Sequence, residues 1–168
     1  MGKYRNRSEE IFFELVRAGL LEKEVRLAPY GEVDYSGVLR LAEELSVVGL
    51  VAAGLEKVVD MREPQSVALQ FVGQTLQIEQ RNKAMNAFVA ELFNVMGKAG
   101  VSAVLVKGQG VAQCYEKPLW RASGDVDLLL DGENYEKAKA FLPTMASKVE
   151  DEEKKKLHLG MTIDGWIV

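Results

Sequence analysis

Apolar positions in the first hundred residues recur three and four apart, and no stretch there shows the period of two that a half-buried strand requires. The pattern predicts helices. Ile11, Phe12, Leu15 and Val16 make one inner face, with Ser8 ahead of them as an N-cap and Gly19 behind them as a stop. Val38, Leu41, Ala42 and Leu45 make a second face, capped by Asp34 or Ser36, and the helix runs on or breaks within residues 46–54. The most apolar stretch, residues 47–55, is flanked by Glu43, Glu44, Glu56 and Lys57. It falls far short of the roughly 20 residues that span a bilayer, so it predicts a buried helix. Pro64 suits the first turn of a further helix. Met85, Phe88, Val89, Leu92, Phe93 and Met96 then follow i, i+3, i+4, i+7, i+8, i+11, which sets all six on one face of the clearest helix in the chain. Gly97 or Gly100 closes it.

After Gly100 the pattern changes. Residues 101–106 are apolar but for Ser102, and three of the six are β-branched valines, the composition of a strand buried on both faces. Residues 109–115 predict a short helix, 116–124 a loop around Pro118, and 126–130 a second strand. Asp131-Gly132 turns the chain into a helix over 135–142 that Pro143 limits, and the mixed charge run 148–156 reads as a solvated face or loop. Leu159, Met161 and Ile163 alternate, Asp164-Gly165 supplies a favoured two-residue hairpin turn, and residues 166–168 begin a returning strand. A strand ending after three residues leads us to expect a fragment of a longer protein. The expected organisation is α+β: a helical region over 1–80 and a mixed α/β core over 81–168, incomplete at its C-terminal end.

Composition narrows the function only a little. A formal charge of -4 argues against a dedicated nucleic-acid-coating surface. One cysteine, Cys114, allows no intrachain disulfide and fits a reducing cytoplasm. The polar amino terminus leads into no apolar stretch of signal-peptide type, and no membrane segment is expected. His158 is the sole histidine, which leaves no Ser-His-Asp or Cys-His machinery and no histidine-rich metal site. Trp120 either stacks on a base or covers the core, and Tyr115, Tyr135, Met85 and Met96 read as packing residues.

The chemistry concentrates in residues 104–130. In a strand, residues i and i+2 point to the same side, so Asp125 and Asp127 aim two carboxylates at one place. Two like charges that close need a cation to share them. Magnesium is the first candidate, because it takes one or two protein carboxylates together with substrate phosphates. Phosphoryl or nucleotidyl transfer by two metal ions follows from such a site. Lys107 and Arg121 offer positive charge for phosphate, while Gly108, Gly110, Ser123 and Gly124 permit close backbone approach at a strand-to-helix turn, whose bare N–H groups suit an anion. The bland alternative makes Asp125 a turn residue and Asp127 a solvated strand position. No Walker A loop is present, and an EF-hand is excluded because Leu129 and Leu130 stand at its ligand and glycine positions. An Asp-x-Asp phosphatase with Asp125 as nucleophile is a weaker alternative, since the threonine that follows that motif is missing. A noncatalytic interaction module keeping the same fold is another.

Lys107-Gly108, the helix that follows to Tyr115, Arg121, and the run Gly124-Asp125-Val126-Asp127-Leu128-Leu129-Leu130 resemble the uncharacterised nucleotidyltransferase family of the DNA polymerase beta superfamily. The strong likeness covers about residues 82–142. It implies a mixed sheet flanked by helices, two magnesium-binding aspartates and a nucleoside triphosphate donor, with the acceptor open among small molecules, RNA and proteins. The chain departs from the pattern at Lys107-Gly108-Gln109-Gly110, which replaces a Gly-Gly or Gly-Ser turn. The third carboxylate expected on the strand after the hairpin has no counterpart in residues 166–168, so it is expected beyond Val168, and weak metal binding and turnover are expected of these 168 residues.

Overall fold

The computed structural model describes residues 7–150 and 159–168. Most of the charge run 148–156, the amino-terminal six residues and His158 lie outside them. The chain forms two compact units: one holds the helical first part together with Cys114–Ala122, the other Asn82–Gln113 and Ser123–Val168.

In the first unit, α1 (Arg7–Leu21), α2 (Tyr35–Glu44) and α3 (Val48–Leu55) enclose a core of Ile11, Leu15, Leu27, Val38, Val51 and their neighbours. Asp34 caps α2, its carboxylate accepting from the Gly37 N–H at 3.0 Å. Seven of the eight residues of α3 are buried, as its composition predicts. The chain breaks between α2 and α3 at Ser46, which takes a left-handed φ of 56°. Two expectations for this part are corrected. Leu45 is 56 % exposed because it lies past the end of α2, beyond the helix register that would turn it inward. Ser8 is helical, the second described residue of α1, and Gly19 lies within α1 before its last residue, and both are buried. A Cβ on Gly19 would stand 2.1 Å from the Leu50 carbonyl oxygen, and one on Gly54 would stand 2.0 Å from that of Leu15. These glycines are spacers that let α1 and α3 touch backbone to backbone.

The long α4 (Gln65–Lys98) begins at Pro64, whose carbonyl accepts from Val67 and Ala68. In its first half Thr75 is 3 % exposed, and its hydroxyl has no hydrogen-bond partner among the described residues. Its second half supplies Leu92 and Met96 to the core of the other unit. Gly100, at φ 71°, ends it: the Val101 N–H reaches back to the Met96 carbonyl at 2.9 Å and the Gly100 N–H to Gly97 at 3.1 Å, while Val101 and Met96 are buried in one core. This is a Schellman stop with its apolar contact.

The second unit pairs β1 (Val104–Val106) with β2 (Asp127–Leu129) antiparallel, and β3 (Lys148–Val149), β4 (Met161–Ile163) and β5 (Trp166–Ile167) form an antiparallel set in that order. A parallel bridge between Asp125 and Ile167 joins the two sets, and the Val126 N–H donates to the Ile167 carbonyl at 2.9 Å. The result is the mixed, helix-flanked α+β arrangement expected. The hairpin turn has positive φ at both Asp164 and Gly165, as a type I′ turn requires. Residues 101–106 were expected to form a strand buried on both faces; instead β1 has three residues, and Val104 is 60 % exposed. Among the described residues its only ladder partner is β2, and Val101 is spent on the α4 stop. Asp131-Gly132 is the start of α6 (Gly132–Phe141), with the Asp131 carboxylate accepting from the Asn134 N–H at 2.8 Å.

Candidate functional site

Along β2 and the residue before it, Val126 is 2 % exposed, and Leu128 and Leu130 pack on the second core. Asp125 is exposed, Asp127 half-buried and Leu129 61 % exposed. Strand alternation therefore turns Asp125, Asp127 and Leu129 together to the face opposite that core. Lys107 stands across from Asp127: β1 pairs Val106 with Asp127, and the next residue sends its Nζ to the Asp127 Oδ1 at 3.0 Å. The Lys107 ammonium is held above its ordinary pKa, chiefly by that hydrogen bond, then by the Asp127 charge, with the Asp125 charge adding to both. The two acids thus act on one cation.

The bend between β1 and α5 (Gly108–Ala112) is strained. Lys107 takes φ 51° and ψ -143°, a region that residues with a side chain rarely enter. Gly108 follows at φ 20°, where a Cβ would stand 3.2 Å from the Asp125 carbonyl oxygen and 3.7 Å from the Ser123 Oγ. Lys107, Gly108, Ser123, Asp125 and Asp127 are thereby gathered in one place. Strain of this kind persists only where surrounding structure holds it, and it collects at functional sites. Here the Lys107 carbonyl accepts from the Val111 N–H at 2.7 Å.

The surroundings of three further expected site residues differ. Gly110 is required by packing: its Cβ would stand 2.8 Å from the Leu105 carbonyl oxygen. Gly124 has nothing within 4 Å of a Cβ position and meets no steric demand. Arg121 belongs to the first unit, with its guanidinium 3.5 Å from the Ala122 carbonyl. The helix expected to reach Tyr115 ends at Ala112. With five residues, α5 sums few peptide dipoles at its start, beside the Lys107 charge. Trp120 packs partly buried against the first core, its Nε1–H donating to Glu79 at 3.3 Å and Lys117 lying 3.7 Å above its ring.

The donor chemistry fits a hard divalent ion. Two carboxylates share one face, and an ammonium already stands where positive charge is demanded. Among the described residues no group of three or more His, Cys, Asp and Glu is placed to hold a metal ion by itself.

The family model described as uncharacterised nucleotidyltransferase matches residues 31–164, most of the chain and both units. The chain belongs to that family. No curated protein and no solved structure matches it. Membership in this nucleotidyltransferase family assigns a general transferase chemistry to the chain, and the match reaches back to residue 31, well into the helical part whose periodicity carried no family signal.

Sequence reasoning missed Asn82 and Gln109, which lie buried beneath the bend. Asn82 falls on the inner face of α4, three residues before Met85, and a polar residue on an otherwise apolar stripe was the signal available.

Proposed function

We propose that this nucleotidyltransferase binds a magnesium nucleoside triphosphate at the Asp125–Asp127 face and transfers its nucleoside monophosphate to an acceptor hydroxyl. The observation that carries the reading is the shared face of the two acids beside the Lys107 ammonium, 3.0 Å from Asp127. Bound magnesium would neutralise the pair and polarise the α-phosphate. Asp125 and Asp127 hold the ion's protein side. Lys107, released from Asp127, meets phosphate oxygens as a point charge. Gly108 and Ser123 let backbone and hydroxyl approach the phosphates. The acceptor oxygen forms its bond to the α-phosphorus, the bond to pyrophosphate breaks, and pyrophosphate leaves. The acceptor proton goes to solvent water, because the two acids would be occupied by the metal. Turnover by these residues alone is therefore expected to be slow, while binding is retained.

Calorimetric titration with magnesium and a nonhydrolysable nucleoside triphosphate tests this. Wild type should bind, and Asp125→Asn and Asp127→Asn should each weaken binding at least about tenfold, the loss of one charge-assisted ligand. Absence of magnesium-dependent nucleotide binding in wild type would overturn the assignment and favour the noncatalytic module.

A further inference from the structure

Beneath the strained bend lies a polar contact that nothing in the reaction itself demands. Gln109 is 4 % exposed and Asn82 1 % exposed. The Gln109 Nε2 donates to the Asn82 Oδ1 at 2.9 Å and lies 3.1 Å from the Met85 Sδ. Both partners belong to the second unit, Gln109 in α5 two residues after Lys107, and Asn82 on α4. A buried amide pair is costly to desolvate, so an apolar pair of the same shape would serve a purely packing role at least as well. What the amides add is direction: a hydrogen bond fixes the rotation and depth at which α5 seats on α4, and apolar side chains do not. Depth matters here. Gly108 stands between Gln109 and the strained Lys107, and its Cβ position already lies 3.2 Å from the Asp125 carbonyl oxygen. A shift of α5 would carry the Lys107–Gly108 backbone with it, relative to Asp125 and Asp127.

We infer that the buried Asn82–Gln109 amide pair is a positioning element that holds the Lys107–Gly108 bend in register with Asp125 and Asp127. Gln109 and Asn82 touch no substrate; they act through the bend. This inference rests on the proposed nucleotide site for its functional consequence, and on the bend's geometry alone for its structural one.

The test uses the full chain as wild type, Gln109→Met, Asn82→Leu and the double variant. Each single variant breaks the buried Gln109–Asn82 hydrogen bond and lowers thermal stability. The double variant removes both partners and regains most of that loss. Two further readouts separate positioning from packing. Amide exchange at Val111, whose N–H is bonded to the Lys107 carbonyl, should quicken at least tenfold in the double variant despite its recovered stability. Affinity for magnesium with a nonhydrolysable nucleoside triphosphate should stay at least tenfold below wild type. Wild-type exchange at Val111 in the double variant would overturn the inference, whatever the nucleotide does. If exchange quickens but wild type binds no nucleotide, the positioning role stands and the proposed function falls.

Discussion

Asp127 faces two demands, from the Lys107 ammonium in the free protein and from a metal ion in the proposed complex, and the first can be measured alone. Lysine ordinarily titrates near 10.5, and the Lys107 value is raised above that by Asp127. A raised base contributes its stability in full below the unfolded value and loses it as pH climbs through the folded value. The contribution therefore disappears only in strongly alkaline solution, and it is small, since the pair is exposed and screened. Asp127→Asn should bring the Lys107 titration, followed by carbon NMR at Cε, back toward the ordinary lysine value. An unchanged titration would show that the ion pair is absent. A second residue-scale outcome concerns Thr75, whose buried hydroxyl is unpartnered among the described residues. Thr75→Val removes a desolvated group while keeping its shape, so the melting temperature should rise, by the equivalent of roughly 1 kcal/mol. The two acids were legible in sequence because alternation is a local rule. The Lys107–Asp127 contact was not, because pairing Val106 with Asp127 is a choice of register between strands about twenty residues apart.

At the scale of elements, glycine was the residue most easily misread. Gly19 looked like a helix stop, yet it is the point where α1 meets α3, and Gly54 is its counterpart. A glycine that ends a helix and one that admits a neighbour leave the same mark in a single sequence. Gly100, by contrast, was legible as a stop because the helical periodicity ends with it. Gly54→Ala should force the two helices apart at a cost of about 1–3 kcal/mol, seen as a lowered midpoint in chemical denaturation. Gly124→Ala, with open space around it, should change the midpoint by no more than about 0.5 kcal/mol. Equal effects from the two would mean that α1 and α3 do not touch through their backbones. The same limit explains β1. An apolar run announces burial, but which of its residues a strand uses, and whether it ends at an edge, depends on partners that composition does not name.

Across the whole molecule, the helix-to-sheet change near residue 100 was visible in the sequence, while the two expected regions meet between residues 80 and 81. The division falls within α4, and Cys114–Ala122 returns to the helical unit. A continuous helix gives no compositional break at such a place, and a loop's allegiance is set by the surface it covers: Trp120 is partly buried on the first core. The mixed sheet was anticipated from a resemblance, since the residues alone could not show which strands lie side by side.

The parallel bridge between Asp125 and Ile167 sets two distant positions abreast on one rung, with their side chains toward the same side. Ile167, 58 % exposed, therefore sets an apolar side chain beside Asp125, where an added carboxylate would lie next to the proposed metal ligands. Ile167→Glu should tighten manganese binding, read by electron paramagnetic resonance, several-fold over wild type. If manganese affinity stays flat, that rung does not open onto the ion.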